Sequence, residues 1–293
     1  MAATGSTDVD DVVPIVATIA IGSRPAARSA AIARRSSAGS SSNRSFVAIR
    51  TSEALWLHVD AAYAGAVAID PGLRAPFDGW ERADSIVVNP HKWLWTPVDA
   101  SLLLSRRLDV VREAFSLVPE YLRTVGGAGE ERNYNEYTPQ LGRRFRALKL
   151  WILLRWFGLE GLRRRIRRHL ELTQVFASWV DAEPGWERLA PVPFSTVCFR
   201  HVPPLLAGSE EAIDAHNAAI MDAVNATGEV FLSHTKLRGR FTIRLAIGSL
   251  RTEPRHVERA WELLRVAAGG DAGADVGANA AREQRPSQEV QPR

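Results

Sequence analysis

Two short apolar runs, Leu55–Val59 and Ser85–Val88, each give way at once to polar, small and charged residues. Runs of this length bounded by turn residues read as buried strands of an α/β sheet, and such sheets present their chemistry at the carboxyl ends of their strands. The first run delivers Asp60, with His58 two positions earlier on the same strand face. The second delivers Asn89, His91 and Lys92. Pro71, Gly72 and Pro76 punctuate the connection between them.

The chain around this stretch has the composition of a globular protein. Its 293 residues are 46% hydrophobic, enough for one large domain or two. The single Cys198 excludes an internal disulfide, and no C-x-x-C or His/Cys cluster points to a metal, so a reducing compartment and a metal-free site are expected. No apolar run is long enough to span a membrane, and no charged segment followed by an apolar one opens the chain, so a cytoplasmic location without membrane contact is expected.

The net charge is +4 with a pI near 9.6. The basic excess lies in Ser23–Arg50 and Arg143–Arg168, with no nucleic-acid-binding motif beside either, so no nucleic-acid partner is expected. The run Arg163, Arg164, Arg165, Arg167 and Arg168 reads as a solvated helix face.

Taken in order, residues 1–20 read as a remnant of a large domain. Residues 21–52, rich in Ser, Ala and Arg without a period of 2 or 3.6, read as a disordered insertion. Residues 53–160 read as the carboxyl-terminal part of a cofactor-binding large domain, with strands at 55–61, 84–88 and 99–104 and a helix or turn at 106–117. Residues 118–139, with Gly126, Gly127 and Gly129 close together, suit a mobile loop. Helical spacing over 141–182 is interrupted at Gly158–Gly161. Residues 161–268 read as a small domain with strands Thr196–His201 and Arg240–Ala246 and helices near 209–227 and 254–268. Residues 269–293 read as a disordered tail.

An acid and a lysine on neighbouring strand ends suit a cofactor that needs an anion at its ring nitrogen and an amine at its aldehyde, which describes pyridoxal phosphate. The sequence also resembles the pyridoxal-phosphate-dependent aromatic-L-amino-acid decarboxylases, the group II family that includes tryptophan and tyrosine decarboxylases. The resemblance rests on HVDAAYAG at 58–65, NPHKWL at 89–94, PEYL at 119–122, LGRRFRALKLW at 141–151 and FTIRLAIGSLRTEPRHVERAW at 241–261. Five blocks in family order are specific in a way that a lone PHKW is not.

The resemblance implies an α/β fold: part of the large domain of an aspartate-aminotransferase-type pyridoxal-phosphate transferase, with a mostly parallel sheet, followed by a small α+β domain. It makes Lys92 the amine that holds the cofactor and Asp60 the partner of the ring nitrogen. A carboxylate at a buried strand end needs such a cation, although a turn or cap role is the simpler alternative. It places Ala62 under the ring, and Asn89 and His91 at the phosphate or the imine. It assigns Tyr121 as the proton donor to the carbon left when carbon dioxide departs. Relatives with phenylalanine there tend to make aldehydes, so tyrosine favours simple amine formation. Gly142 matches a position where glycine in plant relatives goes with indole substrates, which makes tryptophan the first candidate and tyrosine or dihydroxyphenylalanine the next.

The family is homodimeric, and its members begin with a longer segment that supplies a histidine stacked on the cofactor. No histidine precedes His58 here. The expectation is therefore an N-terminally truncated decarboxylase with weak cofactor binding and little turnover. The alternative is a catalytically inactive relative that acts at most through dimerisation or interaction.

Overall fold

The computed structural model describes residues 18–20, 32–34, 56–116, 134–140 and 142–269. They divide into two compact units. The first comprises the described residues up to Val175 together with 190–197 and 246–252; the second comprises 176–189, 198–245 and the described residues from Glu253.

The first unit is built on a five-stranded sheet of β1 (Thr18–Ala20), β2 (Ile32–Arg34), β3 (Trp56–Asp60), β4 (Ser85–Val88) and β5 (Leu102–Ser105), in the order β2-β1-β3-β4-β5. Only β3 and β4 run parallel, with Asp60 opposite Val87; β1 pairs antiparallel with both neighbours, and β5 pairs antiparallel with β4. The expected mostly parallel sheet is thus reduced to one parallel pair among the described residues. Eleven residues separate β1 from β2, short of the dozen or more that a parallel crossover needs, and the thirteen between β4 and β5 are taken up by the turn Pro90–Trp93 and the loop after it rather than by a crossover helix. β2 also falls inside the stretch read as structureless; the rest of that stretch lies outside the described residues.

β3 shows the expected alternation, with Leu57 and Val59 buried and Asp60 exposed. Leu57 and Val59 pack with Ala61, Ala83 and Val88. Between β3 and β4 the chain runs through four short 3-10 turns, Ala64–Ile69, Pro71–Leu73, Ala75–Phe77 and Trp80–Arg82. Pro71 and Pro76 open the second and third turns, and Gly79 takes φ +96° before the fourth. Asp70 caps Pro71–Leu73 by accepting from the Gly72 amide at 3.0 Å.

These turns cover a core of Ala66, Val67, Phe77, Trp93, Leu94 and Ile166. Trp93 belongs to α1 (Pro90–Trp93), a single turn, and α2 (Leu108–Phe115) follows β5. Ile166 belongs to α3 (Arg146–Ala182), which bends at Gly158, where φ +61° and ψ 171° are accessible only to glycine. The interruption expected at Gly158 is thus present: Gly158 is not helical, and α3 is two helical stretches joined across it.

The arginine run on α3 departs from the expected solvated face. Arg167 binds buried Asp70 through Nε and Nη2 at 2.6 and 3.0 Å, Arg163 Nε donates to the Ile69 carbonyl at 2.9 Å, and Arg165 lies over the Phe157 ring. Two of the five arginines thus tie α3 to the turn at 69–70. Trp151, Ile152 and Trp156 of the same helix are exposed.

The second unit carries β6 (Trp186–Arg188), β7 (Thr196–His201), β8 (Ser233–Leu237) and β9 (Arg240–Ala246) in the order β6-β7-β9-β8. It also carries α4 (Glu210–Ala226) and α5 (Pro254–Ala267). Ser209 caps α4, and Glu253 and His256 form a reciprocal cap on α5. Phe176, Val180, Phe199, Ile213, Ile220, Ile243 and Leu264 fill the core. No described helix is long and apolar enough to cross a membrane.

Candidate functional site

The parallel register of β3 and β4 sets Asp60 and Asn89 at the same edge of the sheet. Beyond β3 the Asn89 amide donates to the Ala62 carbonyl at 3.0 Å, extending the ladder past the strands. Asn89 then turns the chain into α1: its carbonyl accepts from the Lys92 amide at 2.9 Å, and its side-chain oxygen accepts from Ser101 Oγ at 2.6 Å. Asp60, Ala62, Asn89, His91 and Lys92 therefore gather at the carboxyl ends of the one parallel strand pair.

Asp60 is exposed, not buried as the sequence suggested, because nothing among the described residues covers this edge of the sheet. One carboxylate oxygen accepts from the Ala62 amide at 3.0 Å, an Asx turn of the kind weighed as the simpler reading. It has no ion-pair partner among the described residues, which leaves the second oxygen available to a cation. His58 lies on the same face of β3. Its Nδ1 is 2.7 Å from Ser85 Oγ, which also accepts the Trp56 indole N–H at 2.9 Å. Burial lowers the His58 pKa, and the charge of Asp60 partly opposes that shift.

Lys92 is exposed, and its Nζ has no hydrogen-bond or ion-pair partner among the described residues. The contrast with the other lysines is informative, since the chain has only three. Lys149 Nζ is spent on the carbonyls of Pro97 and Asp99 at 2.8 and 3.0 Å, and Lys236 lies exposed in β8. His91 places Nδ1 against the Ala100 backbone, 2.5 Å from the carbonyl oxygen and 3.2 Å from the amide nitrogen, so only its Nε2 edge is uncommitted.

Gly142 lies ahead of α3, and a Cβ there would meet nothing within 4 Å. The start of α3 is fastened to the loop after the lysine turn: Arg146 Nε binds Asp99 at 2.8 Å, beside the Lys149 bonds. Tyr121 lies outside the described residues.

Several residues that organise the site have no local sequence signature. Ser85 and Ser101 hold His58 and Asn89. Trp93, beside Lys92, is fully buried, stacks on Tyr63 with centroids 5.0 Å apart, and donates its indole N–H to His169 Nδ1 at 3.0 Å. The position of Trp93 in PHKW was the available clue; its partner is 76 residues away.

Pyridoxal phosphate fits these donors. Among the described residues the site offers an amine without a competing partner and a carboxylate without a cation. Lys92 would hold the aldehyde and Asp60 the ring nitrogen.

Residues 41–202 match the family model described as the pyridoxal-dependent decarboxylase conserved domain. The chain is 42% identical over 218 residues to a phenylacetaldehyde synthase of Arabidopsis thaliana, and 41% identical over 218 residues to tryptophan decarboxylase 2 of Oryza sativa subsp. japonica. Each match covers 74% of this chain and 44% of the relative. Among solved structures it resembles Oryza sativa TDC with PLP and tryptamine, with a TM-score of 0.71 and 37% identity, covering 76% of this chain and 46% of that one. The chain thus spans less than half the length of these relatives.

Proposed function

Because the chain belongs to the pyridoxal-dependent decarboxylase family, we propose that it carries the lysine part of a site that decarboxylates an aromatic L-amino acid to its amine and carbon dioxide. The observation that carries this reading is that Lys92 Nζ and the Asp60 carboxylate share one sheet edge and that, among the described residues, neither has an ion-pair partner. Tryptophan is the first candidate substrate. Gly142 with open space around it supports that choice, as do the relatives and solved structures named for tryptophan and tryptamine.

In this reading Lys92 Nζ would hold the cofactor aldehyde and, when free, would move protons at the substrate carbon. The Asp60 oxygen not engaged by Ala62 would accept from the ring N–H and keep that nitrogen protonated. When bound, pyridoxal phosphate supplies the sink for the electron pair left as the carboxylate departs. Asn89 and His91, fastened to Ser101 and Ala100, keep the lysine turn at the strand ends. Tyr121 Oη donates the proton to the substrate carbon, which favours amine over aldehyde. Homodimeric assembly belongs to the same proposal, supported by the uncovered Trp151, Ile152 and Trp156 of α3.

Addition of pyridoxal phosphate, borohydride reduction and peptide mapping tests the reading. Label on Lys92, followed by amine release from tryptophan, supports it. Label confined to Lys236, or none, means that the chain alone is not a competent cofactor site.

A further inference from the structure

We propose that His169 is a positioning residue for Lys92, acting through Trp93; the inference rests on the reading of Lys92 as the cofactor lysine. The lysine turn is only four residues long and has little stability of its own. Its outward side chain, Lys92, is unpartnered, so the direction of Nζ depends on what fixes the turn from beneath. That support is Trp93, completely buried, held on one face by Tyr63 and at its indole N–H by His169.

The indole N–H can only donate, so His169 Nδ1 must accept. His169 is therefore neutral, with its proton on Nε2. The ring itself is 3% exposed. A second tie runs in parallel: the Trp95 indole donates to the Gly248 carbonyl at 2.9 Å, and Trp95 packs edge-on against His169. Both tryptophans flanking Leu94 are thereby moored at their indole N–H groups, Trp95 to Gly248 and Trp93 to His169. The Tyr63 stack resists tilting of the Trp93 ring, and the His169 bond fixes the ring edge that carries the indole N–H. Losing it frees the turn to swing Lys92 away from the edge that holds Asp60.

The test uses the full chain with His169→Phe, which keeps a ring and removes the acceptor, and His169→Asn, which restores an acceptor near the Nδ1 position. Trp93→Phe removes the donor and serves if His169→Phe does not fold. Two readouts are taken under conditions where circular dichroism shows each variant folded. Amide hydrogen exchange at Lys92, Leu94 and Thr96, whose bonds to Asn89 and Pro90 define the turn, is expected to rise about tenfold in His169→Phe and Trp93→Phe, and to return most of the way in His169→Asn. Borohydride-trapped pyridoxal phosphate is expected to shift from Lys92 toward Lys236 in the Phe variants and to return in His169→Asn.

Unchanged exchange at the turn in a folded Phe variant, or no recovery in His169→Asn, overturns the inference. Absence of Lys92 label in the unsubstituted chain instead overturns the cofactor reading, and the exchange readout then still decides the role of His169.

Discussion

Asp70 and Arg167 stand 97 residues apart in the sequence and meet through two hydrogen bonds, with the Asp70 carboxylate fully buried and the guanidinium half exposed. The pair fastens α3 to the turns that cover Trp93, so it supports the floor of the lysine turn. Removing Arg167 strands a buried carboxylate. Arg167→Ala is expected to lower stability, by less than the full value for a buried pair because the exposed guanidinium is solvent-screened. Urea unfolding at pH 7 measures it.

The same pair sets a limb of the acid response. Arg167 lowers the Asp70 pKa from its ordinary 3.8, so the stabilisation is complete above that value and is lost as pH falls through the lower folded value. Arg167→Ala should abolish this acid limb, seen as convergence of the two proteins' stabilities at the lowest pH that both survive.

His169 governs a higher window. Burial depresses its pKa from 6.5 to about 4, so the unfolded chain binds the proton first. Stability is then complete above pH 6.5, declines as pH falls toward 4 and levels off below. The decline amounts to about 3 kcal/mol. His169→Asn, which does not titrate, should flatten the urea midpoint over this interval; an unaltered slope would count against a neutral buried histidine.

Gly65 has no room for a side chain. A Cβ there would lie 2.8 Å from Val88 Cγ2 and 3.1 Å from Ala61 Cβ. Gly65→Ala should therefore push the end of β4, and Asn89 with it, away from β3 at a cost of about 1–3 kcal/mol. Weaker trapping at Lys92 should accompany the lower unfolding midpoint.

At the site, Lys92→Ala should eliminate the trapped adduct and lower turnover by about three orders of magnitude or more. Asp60→Asn should preserve attachment at Lys92 while slowing decarboxylation by at least about a hundredfold, because a neutral amide no longer holds the ring proton. Attachment and turnover lost together in Asp60→Asn would point instead to the Asx turn as the essential role of this residue. Aldehyde replacing amine in Tyr121→Phe, measured on the same substrates, would support the donor role of Tyr121.

Much of the site was legible because its elements are local. The alternation of Leu57 and Val59 with His58 and Asp60, and the break of Ile86–Val88 into Asn89 and Pro90, record strand ends within a few residues. Thr196–His201 and Arg240–Ala246 were read to the residue for the same reason. β8 was missed because Ser233–Leu237 is mostly polar and has a half-exposed pattern; only its pairing with β9 across Arg238 and Gly239 makes it a strand. The exposure of Asp60 also went unread, because the burial of a strand end depends on what lies over it.

Short-range periodicity and turn chemistry were thus enough to place Asp60, Asn89, His91 and Lys92 at two strand ends, since backbone hydrogen-bonding geometry forces that pattern on the residues themselves. Only the folded chain shows that Arg167 belongs to Asp70 and that the Trp93 indole belongs to His169. An arginine on a helix and a histidine within a helix look the same in one sequence whether they face water or a buried partner. Their roles are set by which distant group comes within 3 Å when the core closes.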